Sequence, residues 1–469
     1  MGRQSMRMRP PPSALASQDH VVTLAGLSAP DRPTSGSGGQ FTVCESGFAL
    51  VTVGPRQPLE PQLDQKSLRL VVDRDRLRYS PVLLPSLSQL PGCNQNGQST
   101  SEEFRPLFGI DAEGNPHELP LPYDQAKPVL SALCWHPTKP MIAITLANNL
   151  TYFLDVATGV WSDLVLQHEY QRNVIAMAYS PVGGNDLAVH TGDSVCLWHI
   201  VEGQRSAWVM RLHPDDWSER PSTSGSLSYS PSGRFLAFAS HGQPSISVWD
   251  CVRKGPAGHT PLAARGKRIT DVSWSSNGLY LVGFSRSSSN FYVWDTTRWD
   301  CARWTLGTGG PLQGITWHCN QSLMMVAGSD CSLIHCVRLD PLEIWPGLDV
   351  DQDPDGLGVG GKPNQIAWSP TSQRLAISFT EDSDDCADMI AIIATSIDVS
   401  NHVRYTPIGW IRGPQSPVSH MLNRPVFMCF RPEFEHGALL CVAWRHGQIT
   451  FYPMLFAHDS KPVRPSARA

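Results

Sequence analysis

The sequence predicts an all-β fold, a single seven-bladed β-propeller, and three observations carry that prediction. The first is a pattern of alternating apolar runs and polar turns that recurs seven times between residues 130 and 456. The second is that this region contains no run of useful length with helical periodicity. The third is composition: 41% of the 469 residues are hydrophobic, which is enough for a sizeable core and excludes wholesale disorder.

Each repeat opens with a strand-like run that ends in an aromatic residue and is followed by a turn. The opening aromatics recur at intervals of 43 to 62 residues, which matches a blade of about 40–45 residues with loop insertions. A single meander of three or four strands is marginal in isolation, whereas seven arranged radially cover one another's apolar faces. The seven opening aromatics are Trp135, Tyr179, Tyr229, Trp274, Trp317, Trp368 and Phe430.

The two clearest repeats close on a Trp-Asp dipeptide, Trp249-Asp250 and Trp294-Asp295, 20 residues after their opening aromatics. This dipeptide is typical of WD40 repeats and makes the predicted propeller WD40-type. We expect each closing Trp to pack between blades, where its indole N–H can donate to a hydroxyl of the preceding strand. The hydroxyls at the matching positions belong to Ser240, Ser285 and Ser329.

The distribution of residue types divides the chain into four segments. Residues 1–39 are rich in Pro, Ser and Gly and are predicted to be a disordered tail. Residues 40–129 combine N-terminal strands with a Pro-rich loop segment, and the hairpin-like run at 41–53 is the candidate to close the propeller ring. Residues 130–456 form the predicted propeller, and residues 457–469 form a short C-terminal tail.

Charge and hydropathy exclude several functional classes. The formal net charge of -5, from 37 Lys and Arg against 42 Asp and Glu, gives no electrostatic footprint for direct binding of nucleic acid. No stretch approaches the ~18 consecutive apolar residues of a membrane span, so we expect membrane contact only through a partner. No two of the twelve cysteines form a CxxC pair, which favours reduced thiols in an intracellular protein.

No motif predicts a catalytic, cofactor-binding or metal-binding residue, and we expect a protein that is not an enzyme. Residues 351–356 resemble the start of a calcium loop, but Lys362 stands where the loop needs its last acidic ligand. Glycines at 356, 358 and 361 match GxGxxG, but an acidic loop rather than a strand precedes them. The acidic run at 381–388 is interpreted as a solvated hairpin tip, with contact to a basic partner as the alternative.

A polar triplet, Gln171-Arg172-Asn173, precedes the strand-like run at 174–179. Arg172 is interpreted as a salt-bridged residue between blades, with a role in partner binding as the alternative. Binding itself is expected at the exposed loops of the propeller rims, because loops held on a rigid scaffold commonly carry function.

Several blocks outside the Trp-Asp dipeptides resemble the aladin family, the WD-repeat nucleoporins of the nuclear pore complex. They are spread over residues 40–456, so the resemblance covers most of the chain. The blocks are QFTV at 40–43 with LVT at 50–52, QRNV at 171–174, FYVW at 291–294 with WDCARW at 299–304, and FRPEF at 430–434 with GALL at 437–440.

The resemblance implies a non-enzymatic scaffold component of the nuclear pore complex, located in the nucleus at the nuclear envelope. It implies protein partners, namely a transmembrane nucleoporin that anchors the protein and other pore components, and a supporting role in nucleocytoplasmic transport. It carries over no individual binding residue. The alternative is a generic WD-repeat adaptor in another multiprotein assembly, such as a ubiquitin ligase or a trafficking receptor, which is not expected to share the blocks above.

Overall fold

The structure, a computed structural model, describes residues 130–455 with internal gaps, and six short strands before them. Apart from one two-residue strand, the predicted tails at 1–39 and 457–469 lie outside the described residues, as do the calcium-like segment at 351–356 and most of the acidic run at 381–388. The gaps are 202–205, 213–223, 241–244, 258–268, 308–309, 320–321, 341, 351–360, 381–385, 399–401, 414–422, 435–436 and 446.

The six strands before residue 130 are short. Two pairs of them form antiparallel ladders, the second strand with the third and the fifth with the sixth. The strands are β1 (Val22–Thr23), β2 (Thr42–Ser46), β3 (Ala49–Val53), β4 (Val82–Leu83), β5 (Phe108–Ile110) and β6 (Pro116–Glu118).

Blades 1 to 4 each contain four antiparallel strands whose order in the sheet is their order in the chain. Blade 1 consists of β7 (Leu130–Trp135), β8 (Met141–Leu146), β9 (Thr151–Asp155) and β10 (Val160–Leu166). Blade 2 consists of β11 (Val174–Tyr179), β12 (Asp186–Thr191), β13 (Val195–Val201) and β14 (Ser206–Leu212). Blade 3 consists of β15 (Gly225–Tyr229), β16 (Phe235–Ser240), β17 (Ser247–Asp250) and β18 (Gly255–Pro256). Blade 4 consists of β19 (Asp271–Trp274), β20 (Tyr280–Phe284), β21 (Asn290–Asp295) and β22 (Asp300–Thr305).

Blades 5 and 6 repeat this meander, and blade 7 supplies three strands from the C-terminal part of the chain. Blade 5 consists of β23 (Leu312–Trp317), β24 (Leu323–Gly328), β25 (Leu333–Leu339) and β26 (Leu342–Asp349). Blade 6 consists of β27 (Pro363–Trp368), β28 (Arg374–Phe379), β29 (Met389–Ile397) and β30 (Val403–Arg412). Blade 7 consists of β31 (Pro425–Phe430), β32 (Gly437–Trp444) and β33 (Gln448–Leu455).

The predicted all-β propeller of seven blades is confirmed. Each of the seven opening aromatics is the last residue of the first strand of its blade, from Trp135 in β7 to Phe430 in β31. These positions recur because every blade repeats the same elements in the same order. An apolar first strand is followed by a polar turn, and the second strand then pairs with the first. The spacing in the sequence therefore reports the repeat of a whole sheet, rather than of a single strand.

The hydrophobic core is divided among the seams between blades. Seven clusters of buried residues occur in the described part of the chain, and each combines side chains from two neighbouring blades. In the seam of blades 3 and 4, for example, Ile246 and Val248 pack with Trp274, Leu281 and Trp294. Each blade buries both of its faces against its neighbours, whereas a single meander would leave those faces in water. The ring of seven is therefore stable although one meander alone is marginal.

Blades 7 and 1 close the ring. The first strands of the two blades contact each other, and one cluster combines their side chains, with Trp135 edge-on to Phe451 at 5.9 Å. Beside the outer edge of blade 7, β2 runs parallel to β33 with Glu45 opposite Met454, while β4 also pairs with β33. Among the described residues, no helix has the length and apolar character needed to cross a membrane.

The expected hydrogen bond from a closing Trp to a strand hydroxyl is wrong for the residues named. Ser240 Oγ donates instead to the carbonyl of Gly192 in the preceding blade at 3.1 Å. Ser285 Oγ lies 2.8 Å from a neighbouring serine, and Ser329 Oγ donates to the next side chain along the chain. Trp249 Nε1 is buried with no hydrogen-bond partner among the described residues, so packing rather than a hydrogen bond holds this ring.

Candidate functional site

The strands of each blade run between two faces of the ring. We call the first of them the turn face, because it carries the turns that join the first strand to the second and the third to the fourth. The opposite face carries the hairpins between second and third strands and the connections between blades, and we call it the loop face. Residues on these two faces are the candidates for binding.

Buried cysteine thiols and histidine imidazoles of the propeller are held in their neutral forms. Burial raises the pKa of the thiols of Cys196 and Cys336 to about 12 and lowers the pKa of the His335 imidazole to about 4. Raised thiol pKa values mark inert core cysteines rather than nucleophiles. In the described part of the chain, no three His, Cys, Asp or Glu side chains lie together as metal ligands.

On the turn face, successive first turns pack against one another. Gly184 of blade 2 has a left-handed backbone with φ of +67°, and a Cβ there would clash with the His136 ring of blade 1. A Cβ at Gly233 of blade 3 would lie 3.1 Å from Ser180 Oγ and 3.2 Å from Val182 of blade 2. Glycine permits this close approach because it has no side chain and tolerates positive φ.

Hydrogen bonds continue this ring of turns into blades 5 and 6. Asn277 Nδ2 in blade 4 donates to Ser322 Oγ in blade 5 at 2.9 Å. The backbone N–H of Cys319 in blade 5 donates to Ser372 Oγ in blade 6 at 2.8 Å. A Cβ at Gly278 of blade 4 would lie 3.5 Å from Pro231 of blade 3, so the first turns pack against one another from blade 1 to blade 6 and form a continuous platform.

Exposed apolar side chains concentrate on this platform. Of the five large apolar side chains that stand exposed in the described part of the chain, four lie on the turn face: Val160 (61% exposed), Val182 (59%), Val252 (74%) and Leu279 (45%). The fifth, Tyr170, lies on the loop face. These four side chains lie one to a blade on blades 1 to 4, so the turn face presents more apolar tips than the loop face does.

Aspartates at the ends of the third strands cap the turns that follow. Asp155, Asp250 and Asp295 each accept a hydrogen bond from the backbone N–H two residues on, at 2.8–3.0 Å. The backbone N–H of Arg253 is the main group that holds the pKa of Asp250 below its usual range, and the Thr297 hydroxyl does the same for Asp295. The Asp of the Trp-Asp dipeptide therefore stabilises its own turn.

Each capped turn ends in a residue with a left-handed backbone, four positions after the Asp. This residue is Gly159 in blade 1, Lys254 in blade 3 and Trp299 in blade 4, with φ of 70°, 51° and 59°. Glycine adopts this conformation readily, whereas a bulky tryptophan is a steric outlier. The Trp299 ring packs edge-on against Phe235 of blade 3 at 6.4 Å. Sequence reasoning missed this position, although the Asp-to-Gly spacing in blade 1 was an available signal.

On the loop face, Gln171 joins blade 1 to blade 2 from a completely buried position. Its Nε2 donates to the carbonyl of Asn149 at 2.6 Å and to Thr151 Oγ1 at 3.1 Å, and its Oε1 accepts from Trp198 Nε1 at 2.8 Å. Asn149 Oδ1 in turn accepts from the Val174 backbone N–H at 3.2 Å. A buried polar network with its groups satisfied in this way fixes the geometry of the seam.

Arg172, interpreted from the sequence as a salt-bridged residue between blades, is exposed and forms no ion pair with a described residue. That interpretation is wrong within the described residues, since the inter-blade role belongs to Gln171. Next to it, Tyr170 lies under the Arg211 guanidinium, 5.0 Å from ring centroid to Cζ, and Arg211 is 3.2 Å from Asp193. A role for Arg172 in binding stays a prediction.

Replacing Gln171 by Ala should lower the free energy of unfolding by about 3 kcal/mol, because the partners on Asn149, Thr151 and Trp198 lose a buried hydrogen bond. Urea denaturation of the full chain measures the change. Arg172→Ala is the matched control, because an exposed neighbour should change stability by at most about 0.5 kcal/mol. Equal losses in the two variants would contradict the assignment of the seam to Gln171.

Comparison with known proteins was made at the levels of sequence and fold. No family model matches the chain. A curated relative, "Aladin" of Arabidopsis thaliana, is 27% identical over 473 residues, which cover 90% of this chain and 98% of the relative. The chain is therefore aladin-like along nearly its whole length.

Solved structures share the fold at much lower identity. A chain of the crystal structure of the mitotic checkpoint complex superposes with a TM-score of 0.50 at 17% identity, covering 69% of this chain and 86% of that chain. A chain of the hydrazine synthase of Kuenenia stuttgartiensis superposes with a TM-score of 0.54 at 15% identity, covering 71% of this chain and 97% of that chain. At such identities the likeness shows the propeller fold alone.

Proposed function

We propose that this aladin-like propeller is a non-enzymatic scaffold component of the nuclear pore complex. In this proposal it lies at the nuclear envelope, is anchored there through a transmembrane nucleoporin, and supports nucleocytoplasmic transport. Contact with the membrane is made through that partner, and other pore components bind the faces of the ring.

The observation that carries the proposal is the similarity to a curated aladin over 90% of this chain and 98% of the relative. Similarity of that extent includes segments outside the propeller repeats, which a shared fold alone would not produce. The sequence blocks at 171–174, 299–304 and 437–440, which resemble the aladin family, lie at the entry to blade 2, in blade 4 and in blade 7.

The described faces suit a scaffold. The turn face is a platform of interlocked turns with exposed apolar side chains, and the loop face carries Tyr170 and Arg172 at the entry to blade 2. Aromatic and arginine side chains on rigid supports are the groups that dominate protein–protein binding energy. The buried cysteines and histidines are neutral core residues that do not face other molecules. The side chains that do face them are the apolar, aromatic and arginine groups above, which favours binding over catalysis.

Localisation of the full chain tests the proposal. A fluorescent tag on the chain should give a punctate nuclear rim that coincides with an independently labelled pore component. Purification of the tagged chain from nuclear envelope membranes should recover a multi-spanning membrane protein of the pore. A diffuse cytosolic signal with recovery of a different assembly would overturn the proposal and favour the generic WD-repeat adaptor.

A further inference from the structure

We infer that the turn face of blades 3 and 4 is a docking surface for an acidic, partly apolar segment of a partner protein. This surface, the blade 3–4 patch, comprises Arg234, Val252, Arg253, Leu279, Arg298 and Trp299. The inference concerns the chemistry of the partner and does not require that the partner be a pore component.

Contacts between side chains make the patch one continuous surface. The Arg234 guanidinium lies over the Phe235 ring, 4.8 Å from its centroid, and donates to Asp250 Oδ2 at 3.1 Å. The Phe235 ring lies 6.4 Å from Trp299, which belongs to the last turn of blade 4. Both blades therefore contribute to a single array of arginine and aromatic groups.

Turns of the same two blades also carry exposed apolar side chains. Val252, at the tip of the last turn of blade 3, is 74% exposed, and Leu279, at the first turn of blade 4, is 45% exposed. The Leu279 carbonyl accepts a hydrogen bond of 2.9 Å from the Thr296 N–H, which ties its turn to the turn of Trp299. These side chains stand on backbone that hydrogen bonds already hold, so a partner meets a preorganised surface.

On the blade 3 side of the patch, the arginines face solvent and the carboxylate of Asp250 faces inward. Asp250 is buried, accepting from Arg234 and capping its own turn, and Asp295 caps the next turn in the same way. Arg253 is 79% exposed and Arg298 is also exposed. Asp300 is exposed at the blade 4 edge, so positive charge is greatest on the blade 3 side.

An acidic segment with apolar side chains complements this arrangement. Arginine and tryptophan are enriched among the residues that dominate interface energies, and complementary charge guides association and fixes register. Trp299 occupies a left-handed backbone position where blade 1 has Gly159. A strained backbone that glycine would relieve points to a use for the Trp299 ring, which is partly buried and packs edge-on against Phe235 of blade 3 and Trp274 of blade 4.

Site-specific photo-crosslinking in the full-length chain tests the inference. A photoreactive amino acid is placed at Val252, and separately at Val160, an exposed valine on the same face of blade 1 that serves as the matched control. Crosslinked peptides are identified by mass spectrometry. We expect crosslinks at position 252, well above those at position 160, to a peptide with excess Asp and Glu and with apolar side chains between them.

Charge reversal supplies the second arm. In the Arg253→Glu/Arg298→Glu variant, crosslinking at position 252 should fall at least about tenfold, because like charges across an interface oppose association. Arg286→Glu/Arg445→Glu, at two exposed arginines of the loop face, changes the net charge by the same amount and should leave crosslinking unchanged. All four substitutions are at exposed positions, and thermal melting of each variant checks that the fold is retained.

Substitution of Trp299 by Gly is a further variant, because glycine relieves the backbone while removing the ring. It should keep the nuclear rim or other localisation of the chain while lowering the crosslink yield at position 252. The inference is overturned by crosslinks to lipid or nucleic acid, by a yield no higher than that at Val160, by a partner peptide without excess acidic residues, or by a yield that survives charge reversal. If the crosslinking experiment contradicts the inference while the chain still localises to the nuclear rim, the proposed function is unaffected. If the chain does not localise to the rim but the expected crosslinks form, the inference about the patch is unaffected.

Discussion

Replacing Trp294 by Ala should lower the free energy of unfolding by about 3–5 kcal/mol, the range measured for deleting a large buried aromatic. Trp294 is 1% exposed and packs in the seam of blades 3 and 4, against residues that both blades contribute. The space it fills is tight, since a Cβ on Gly283 would lie 3.0 Å from its ring. We expect less soluble folded protein, a lower melting temperature, and loss of localisation together.

Two measurements separate this effect from a local one. Val252→Ala, a truncation at an exposed site, should leave the melting temperature within experimental error of the unmodified chain. Trp294→Phe retains an aromatic ring in the seam and should recover part of the lost stability. A Trp294→Ala chain that melts at the unmodified temperature would show that the seam does not depend on this ring.

Acidification from pH 7 to pH 4 should destabilise the propeller through two buried histidines. Burial lowers the pKa of His190 to about 4 and of His335 to about 4, and the backbone carbonyls of Thr191 and Ala239 that face the His190 ring offset only part of that effect. An unfolded histidine titrates near pH ~6.5. Between pH ~6.5 and ~4 the unfolded state therefore binds more protons than the folded state, and stability falls as pH falls.

The size of the effect follows from the depressed pKa values. Each histidine should contribute a loss of about 3 kcal/mol across that window, because one pKa unit corresponds to about 1.4 kcal/mol. Urea denaturation at several pH values measures the slope. His190→Gln and His335→Gln should each reduce the slope by up to about 1.4 kcal/mol per pH unit, whatever their effect at pH 7. If stability falls with pH as steeply in these variants as in the unmodified chain, the two histidines are not the cause of the acid destabilisation.

The number of blades and their order could be predicted from the sequence. Each blade is a local meander, and strands that follow one another in the chain pair with one another in the sheet. Alternation, turn residues and the opening aromatics therefore lie within about 40–45 consecutive residues of each other, where sequence patterns are informative. The first strands end at the aromatics that mark the repeat, from Trp135 to Phe430.

Contacts between blades could not be predicted in the same way. The sequence offered Arg172 as the residue that joins blades 1 and 2, but the structure buries Gln171 against Asn149 and Trp198 and exposes Arg172. A small change in backbone direction along the connection is enough to decide which of two adjacent residues is buried in the seam and which is exposed. That direction depends on how one sheet is rotated against the next, which no local pattern encodes.

The sequence by itself determined that the chain builds a ring of repeated sheets, because each sheet is made from neighbouring segments whose alternation and turns suffice to specify it. The tertiary structure alone decided which side chains meet at the seams and which stand on the two faces. Three examples of arrangements decided by the tertiary structure are the packing of Gly184 against His136, the packing of Trp299 against Phe235, and the inward-facing Asp250 beside the outward-facing Arg253. The physical reason is that these arrangements arise from the packing of one sheet on another, and packing is set by all the side chains of a seam together.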